Sequence, residues 1–372
     1  MRIGVPKEIK THEYRVGLTP DSVRELVAHG HEVLVETGAG AGIGAEDPAY
    51  TAAGAQIASG PDQVFDQAEM IVKVKEPQVS ERSKLRTGQI LFTYLHLAPD
   101  PDQARDLLAS GAVCIAYETV TDATGGLPLL RPMSQVAGRM AVQAGAVALE
   151  TPHGGRGVLL GGVPGVAPGK VVVLGGGVVG SNAARMAVGL HADVTVLDRN
   201  PMVLERLEQH FGASARVLFS TRAVLEEQVL GADLVIGAVL VPGAAAPKLV
   251  TRDMVSRMQP GAVLVDVAID QGGCFETSRP TTHADPTFHV GGVVHYCVAN
   301  MPGAMARTAT WALNTATLPH VLAIADQGWR GALAADPHLA HGLNVAEGKL
   351  THSAVAAALG LNYTAAADLL GA

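Results

Sequence analysis

Aromatic residues make up only 4% of the 372 residues, so any core must rest mainly on Ala, Val, Leu and Ile. Cysteine is scarcer still. Cys114, Cys274 and Cys297 are odd in number and unclustered, which argues against a disulfide framework or a zinc site and fits a reducing compartment. Each reads more readily as a small buried hydrophobe than as a nucleophile. Basic residues show no excess: the net charge is −8 and no run of like charges stands out, which excludes a nucleic-acid surface and leaves small-molecule chemistry. A membrane-length apolar segment is missing too. Val158 to Gly180 is almost uncharged but is interrupted by Pro164, Pro168, Lys170 and many glycines, so it reads as loop plus strand. Met1 to Lys7 lacks the apolar stretch of a signal peptide. The expectation is a cytoplasmic protein with no metal, no nucleic-acid partner and no membrane contact. Solenoid-type repeats and low-complexity segments are also absent.

What is present centres on Lys170-Val-Val-Val-Leu-Gly-Gly-Gly-Val-Val-Gly180. Val171 to Leu174 read as a buried parallel strand, and Gly175, Gly177 and Gly180 fall on G-x-G-x-x-G opening the helical stretch Ser181 to Leu190. In such a turn Gly175 permits the bend, Gly177 lets the backbone approach a pyrophosphate, and Gly180 lets the helix sit close to the sheet. The helix N-terminus offers unpaired N–H groups to the anion. A second strand, Ala192 to Asp198, ends in an acid eighteen residues past Gly180, placed to accept hydrogen bonds from adenosine ribose hydroxyls. The pattern predicts a dinucleotide site.

At about 150 residues per domain, the length implies two domains. Strands are expected at Arg2 to Val5, His31 to Glu36, Met70 to Lys75, Gln89 to His96 and Ala112 to Tyr117. Helices fall between them, one opening at Thr19 and one over Pro101 to Ser110. This is an α/β domain with a mostly parallel sheet. A helix from about Met133 leads into the second domain, with further strands near Val217 to Phe219, Leu234 to Ala238, Ala262 to Val267 and His289 to Val294. Beyond Asn300 helix formers dominate and no strand is expected; Ala304 to Ala325 reads as one helix, bent near Pro319. A tail of about 45 residues is too short for its own core, so it should return to the first domain. The expected architecture is α/β: two Rossmann-like doubly wound domains with mostly parallel sheets. Residues 1–130 plus 305–372 form a discontinuous substrate domain, into which a cofactor domain of residues 131–304 is inserted.

Open parallel sheets place chemistry just beyond the carboxyl ends of their strands. Lys75, His96 and Asp270 each follow such a strand. Each also has a bland reading: Lys75 a solvated strand end, His96 a satisfied loop histidine, Asp270 the cap of a turn. Read jointly, they suit an oxo acid. A cation such as Arg15 or Lys75 clamps its carboxylate, His96 exchanges protons near neutrality, and Asp270 takes a proton or orients a water or ammonium.

The motifs Met1-Arg-Ile-Gly-Val-Pro-Lys-Glu8, Glu13-Tyr-Arg-Val-Gly-Leu-Thr-Pro20, Lys73-Val-Lys-Glu-Pro77, Leu91-Phe-Thr-Tyr-Leu-His-Leu-Ala98, Arg131-Pro-Met-Ser-Gln-Val-Ala-Gly138 and Asp266-Val-Ala-Ile-Asp-Gln-Gly-Gly273 resemble those of L-alanine dehydrogenases. The resemblance runs from residue 1 to about Pro319. It implies NAD-dependent, reversible oxidative deamination of L-alanine to pyruvate and ammonium by a homohexamer of two-domain subunits. It also implies that Arg15 and Lys75 bind the substrate carboxylate or carbonyl, that His96 and Asp270 are the acid/base pair, and that Tyr94 and Met133 line the substrate pocket. On the cofactor side it implies Ser134, Val178, Val179, Asp198, Ser220, Val239, Leu240, Arg279, Val298, Ala299, Asn300 and Met301, together with Val267, Ala268, Ile269 and Asp270.

One departure concerns the adenosine end. Similar sequences often carry a basic residue five positions after the ribose acid; here that position is Val203, and Arg199 stands nearer. An Arg at that place suits a 2′-phosphate, whereas Asp198 repels it, so NAD is favoured over NADP. Two rival readings stay open. The nucleotide-binding component of a proton-pumping transhydrogenase resembles the chain through its dinucleotide turn, but has no amino-acid substrate to protonate. A saccharopine or lysine-forming dehydrogenase would differ in the size of the substrate pocket.

Overall fold

The computed structural model describes residues 1–239 and 246–371. The chain divides into two compact units, Met1–Met133 with Gly303–Ala372, and Ser134–Pro302.

The first unit opens with six strands: β1 (Arg2–Val5), β2 (Glu32–Glu36), β3 (Gln56–Ala58), β4 (Met70–Val72), β5 (Ile90–Thr93) and β6 (Val113–Ala116). All pair in parallel, with helices in the crossovers. Local chemistry starts those helices. Thr19 caps Pro20–Ala28 by accepting from Ser22 N, and Asp100 caps Pro101–Ser110 by accepting from Gln103 N, each with Pro in the first turn. One core cluster is almost wholly aliphatic, Ile71, Leu91, Leu107 and Val345 among its members, with Phe65 as its one large ring; Tyr50, Phe92, Tyr94 and Tyr117 are buried elsewhere in the unit.

In the second unit the strands are β7 (Lys170–Leu174), β8 (Asp193–Asp198), β9 (Arg216–Phe219), β10 (Leu234–Gly237), β11 (Val263–Asp266), β12 (Thr287–Val290) and β13 (Val293–Tyr296). Among the described residues they form one sheet in the order β12-β13-β11-β10-β7-β8-β9, parallel except for β12. The order reverses at β7, which is where a doubly wound sheet opens a ligand crevice. Its core packs Val172, Leu174, Val235 and Leu264 against Val229, Met254 and Phe275.

Three expectations require correction. His289 to Val294 is not one strand but the turn of a hairpin, because Gly291 and Gly292 both take positive φ (58° and 81°) and reverse the chain. The chain beyond Asn300 is not strandless: β14 (Leu343–Ala346) pairs antiparallel with β6, and β15 (Lys349–Leu350) with β14. Their turn, Glu347-Gly348, has φ of 53° and 70°, the left-handed pair that a two-residue hairpin needs. Among the described residues these strands complete an eight-stranded sheet, β15-β14-β6-β5-β4-β1-β2-β3. Finally, the long helix runs Ala306–Ala335, and its break is at Gly328 (φ 70°, ψ 161°) while Pro319 lies within it. Proline's fixed φ is itself helical and costs a hydrogen bond without forcing a turn. Within the first unit Asn314 ties the long helix to the segment that leads into Pro20–Ala28. Its amide oxygen accepts from Thr19 N (2.9 Å) and Ser22 Oγ (2.7 Å), and its nitrogen donates to Gly17 O (3.1 Å).

Candidate active site

In the second unit the glycine turn follows β7. Gly175 takes φ 97°, and a Cβ on Gly180 would stand 1.7 Å from Gly175 O, so the helix Val178–Gly189 starts there only because position 180 has no side chain. A Cβ on Gly177 would meet nothing within 4 Å. The approach to that backbone is open, and the first N–H groups of a twelve-residue helix lie behind it, which fits a pyrophosphate. Asp198 closes β8 beside the turn. Its Oδ2 accepts from Gly176 N (2.6 Å) and its Oδ1 from Asn200 N (2.8 Å). One carboxylate therefore binds the turn and retains lone pairs for a diol. Arg206 donates to Gly176 O (2.9 Å) from the helix Pro201–Phe211.

The other cofactor-side candidates gather at the carboxyl ends of the same strands. Ser220 follows β9 and donates its N–H to Asp198 O (2.9 Å). Val239 follows β10; Leu240 lies outside the described residues. Val267, Ala268, Ile269 and Asp270 follow β11, with Asp270 exposed in the short 3₁₀ turn Ile269–Gln271. That turn is held by the buried Asp266, whose carboxylate accepts from Ala268 N (3.1 Å), Cys274 N (2.9 Å) and Ser278 Oγ (2.5 Å). Val298, Ala299, Asn300 and Met301 follow β13; Asn300 takes φ 55° and its carbonyl lies 3.3 Å from His283 Nε2. Arg279 is exposed, its guanidinium 4.2 Å from the Phe288 ring centre. Val178 and Val179 begin the helix after the turn, and Ser134 lies in the helix Arg131–Ala148. That helix starts two residues before the expected Met133.

In the first unit the remaining candidates stand at one edge of the sheet, past the carboxyl ends of β4 and β5. Arg15 is only 2% exposed. Its Nε and Nη2 donate to the two oxygens of Glu13 (2.6 and 2.5 Å), and its Nη1 to Met133 Sδ (2.9 Å). Burial presses against its charge, but the bonds and charge of Glu13 outweigh that, and its pKa is raised. Lys75 is half-buried, and among the described residues its ammonium has no hydrogen-bond or ion-pair partner. Burial holds its pKa below the ordinary lysine value; Glu76 opposes the shift, and Arg15 and Lys10 add to it. Tyr94 is buried, donates its hydroxyl to Leu129 O (2.6 Å) and stacks on His96 with ring centres 5.8 Å apart. His96 is exposed, with backbone φ 50°. The sequence reading missed three carboxylates here. Glu118, after β6, accepts the N–H groups of Leu95 and His96; Glu13 holds Arg15; Glu8 lies behind Lys75. Their sequence signals were slight: Glu8 and Glu13 stand in the motifs Met1 to Glu8 and Glu13 to Pro20, and Glu118 directly follows the expected strand Ala112 to Tyr117.

Among the described residues no group of three or more His, Cys, Asp or Glu is placed to hold a metal, and no helix is long and apolar enough to cross a membrane. The three cysteines are buried, and burial pushes the thiols of Cys114 and Cys297 up to about 12. Neither is poised as a nucleophile.

A glycine-rich strand-turn-helix in one unit and a cation, histidine and carboxylate set in the other define an oxidoreductase of the two-domain, Rossmann-like α/β class. Comparison with known proteins narrows this. The families described as Alanine dehydrogenase/PNT, N-terminal domain and C-terminal domain match residues 4–137 and 141–353. An alanine dehydrogenase of Halomonas elongata is 63% identical over 371 residues, covering 100% of both chains. A solved L-alanine dehydrogenase superposes with a TM-score of 0.95 at 54% identity, covering 97% of this chain and 99% of that one. A transhydrogenase from Sinorhizobium meliloti shares the fold at a TM-score of 0.81 and 26% identity, covering 95% of this chain and 100% of its own. The chain belongs to the alanine dehydrogenase family and is an amino-acid dehydrogenase.

Proposed function

We propose that the protein catalyses the NAD-dependent, reversible oxidative deamination of L-alanine. Alanine, NAD⁺ and water give pyruvate, ammonium, NADH and a proton. The observation that supports this most is the set Arg15, Lys75, Tyr94 and His96 at one sheet edge, in a chain 63% identical to an alanine dehydrogenase. Residues 1–130 plus 305–372 act as the substrate domain and 131–304 as the cofactor domain.

NAD, when bound, supplies the hydride acceptor. The turn Gly175 to Gly180, with Gly177 and the helix opening at Val178, takes the pyrophosphate, and Asp198 takes the adenosine ribose. Ser134, Val179, Ser220, Val239, Leu240, Val267 to Asp270, Arg279 and Val298 to Met301 complete the contacts. Arg15 and Lys75 hold the substrate carboxylate and carbonyl; a carboxylate is a far better acceptor for Arg15 than the Met133 thioether. Tyr94 and Met133 line the substrate pocket. His96 and Asp270 carry protons: the amine must lose one to become an imine, and the water that hydrolyses the imine must lose another. The subunits assemble as a cytoplasmic homohexamer.

The test is purified protein with NADH, pyruvate and ammonium, followed by the absorbance of the reduced cofactor. Consumption that requires both pyruvate and ammonium is the expected result. Equal rates without ammonium would indicate a lactate-type enzyme. No consumption, with hydride exchange between nucleotide analogues once a partner protein is added, would indicate a transhydrogenase component.

A further inference from the structure

We propose that Glu8 and Thr93 are positioning residues that hold the backbone of Lys75 from both sides and so aim its ammonium. The proposal rests on the reading of Lys75 as a substrate-binding cation.

Lys75 stands three residues past the end of β4, one residue beyond the last backbone bonds to the β5 side, Lys73 N to Phe92 O (3.2 Å) and Tyr94 N to Val74 O (3.2 Å). Its backbone is held by side chains instead. Glu8 Oε1 accepts from Val74 N (2.7 Å) and Lys75 N (3.3 Å), and Thr93 Oγ1, at the end of β5, donates to Lys75 O (3.0 Å). Glu8 is itself fixed, because its Oε2 accepts from Lys73 Nζ (3.2 Å), and Lys73 also donates to Glu81 Oε1 (2.6 Å). Glu81 Oε2 then accepts from Gln78 N (2.7 Å), at the far end of the turn that carries Lys75. The Lys73 side chain is wholly buried, and those of Glu8 and Glu81 are 2% and 4% exposed.

Buried ion pairs of this kind contribute little net stability, since desolvation offsets their attraction. Stability alone therefore gives weak reason for three buried charges here, whereas fixed geometry gives a strong one. A side chain with no partner of its own can be aimed only through its backbone. Lys75 is such a side chain among the described residues. Glu76, Glu13, Arg15 and Lys10 are the charged groups that act on it, and each acts in proportion to where its ammonium is held.

The variants Glu8→Ala and Thr93→Val remove one tether each; Glu8→Gln and Thr93→Ser keep an acceptor and a hydroxyl at the same places. Two readouts are taken on folded full-length protein: the pH dependence of Lys75 acylation, by mass spectrometry of the peptide containing it, and the KM for pyruvate against kcat. If the tethers aim Lys75, Glu8→Ala and Thr93→Val release it toward water. Its titration then moves up toward that of an ordinary lysine, KM rises between about tenfold and 10²-fold, and the conservative variants restore both. Thr93→Val keeps the side-chain shape, so it decides the matter even if Glu8→Ala fails to fold. An unchanged Lys75 titration in folded Thr93→Val, with only a lowered melting temperature, would overturn the proposal. A shifted titration in a protein that does not act on pyruvate would uphold the positioning and refute the substrate reading instead.

Discussion

Glu118 Oε1 accepts the backbone N–H of His96 at 2.5 Å and stands 3.9 Å from His96 Nδ1. Both oxygens of the same carboxylate also lie within reach of Leu95 N (3.1 and 3.2 Å). The loop after β5 thus turns through a left-handed non-glycine residue, φ 50° at His96, a conformation that persists only when its surroundings enforce it. Glu118 is that enforcement.

If His96 moves a proton in the transition state, His96→Ala lowers turnover by about 10²–10⁴-fold while NADH binding, followed by fluorescence, stays intact. Glu118→Ala should lower turnover in the same direction, because the loop loses its anchor. Glu118→Gln keeps an acceptor and should lose less. Steady-state turnover of the three variants checks this; near-normal turnover in His96→Ala would pass the proton-carrying role to Asp270 or a water.

Lys75 predicts an alkaline limit to substrate binding. Its pKa in the folded protein lies below the 10.5 of a free lysine, chiefly through burial. Its charge is complete below that depressed value and disappears as pH rises through it. Affinity for oxamate, an isostere of pyruvate, should therefore weaken at a pH lower than free-lysine titration would allow. Lys75→Arg, which keeps its charge at any accessible pH, should abolish this limb even where turnover suffers. Oxamate binding measured by calorimetry across the alkaline range decides the point.

Acid stability should depend on His295. It is wholly buried, lies 2.7 Å from Thr277 Oγ1 and 3.0 Å from Val293 O through its two ring nitrogens, and stacks on Phe288. Burial lowers its pKa from 6.5 to about 4. Such a depressed group contributes stability that is full above pH 6.5 and is lost as pH falls through about 4, because the unfolded chain binds the proton first. The amount is on the order of 3 kcal/mol at about 1.36 kcal/mol per unit. Urea unfolding at pH 7 and pH 4.5 should show the loss, and His295→Gln should flatten that part of the pH dependence.

The glycine turn is legible in the sequence because its causes are local: three glycines, one strand, one helix start and one acid at fixed offsets. The place of Lys75, His96 and Asp270 beyond strand ends is legible for a similar reason, since apolar runs mark the sheet and polar residues mark its edge, although β4, β5 and β11 end at Val72, Thr93 and Asp266, a few residues before them. Glu8, Glu13 and Glu118 are not. Glu8 meets Lys75 N across 67 positions, and Glu118 meets His96 N across 22; no spacing rule links such pairs. The strands β14 and β15 escape notice because four and two residues carry almost no periodicity; the waiting edge of β6 makes β14 a strand. The kink at Gly328 rather than Pro319 shows that a φ no L-residue favours interrupts a helix more surely than a missing donor does.

Cofactor choice should turn on Asp198. Its carboxylate is already shared between Gly176 N and Asn200 N, so it has two tasks: to fix the turn, and to accept from the ribose diol. Asp198→Ala removes both. Each charged hydrogen bond to the ribose counts for about 1.5–3 kcal/mol, so NADH affinity should fall tenfold or more, and the orphaned Gly176 N–H adds to the loss. The same change relieves repulsion of a 2′-phosphate near Arg199, so NADPH should lose less and the preference should narrow or invert. Asp198→Asn separates the two tasks. Its amide oxygen still accepts from Gly176 N, while the negative charge is gone, so it should spare NADH more than Asp198→Ala does and relieve the phosphate as fully. Fluorescence titration of both reduced cofactors against the wild type and the two variants measures this. Unchanged affinities for both cofactors in Asp198→Ala would remove Asp198 from the ribose and leave it only the role of bracing the turn.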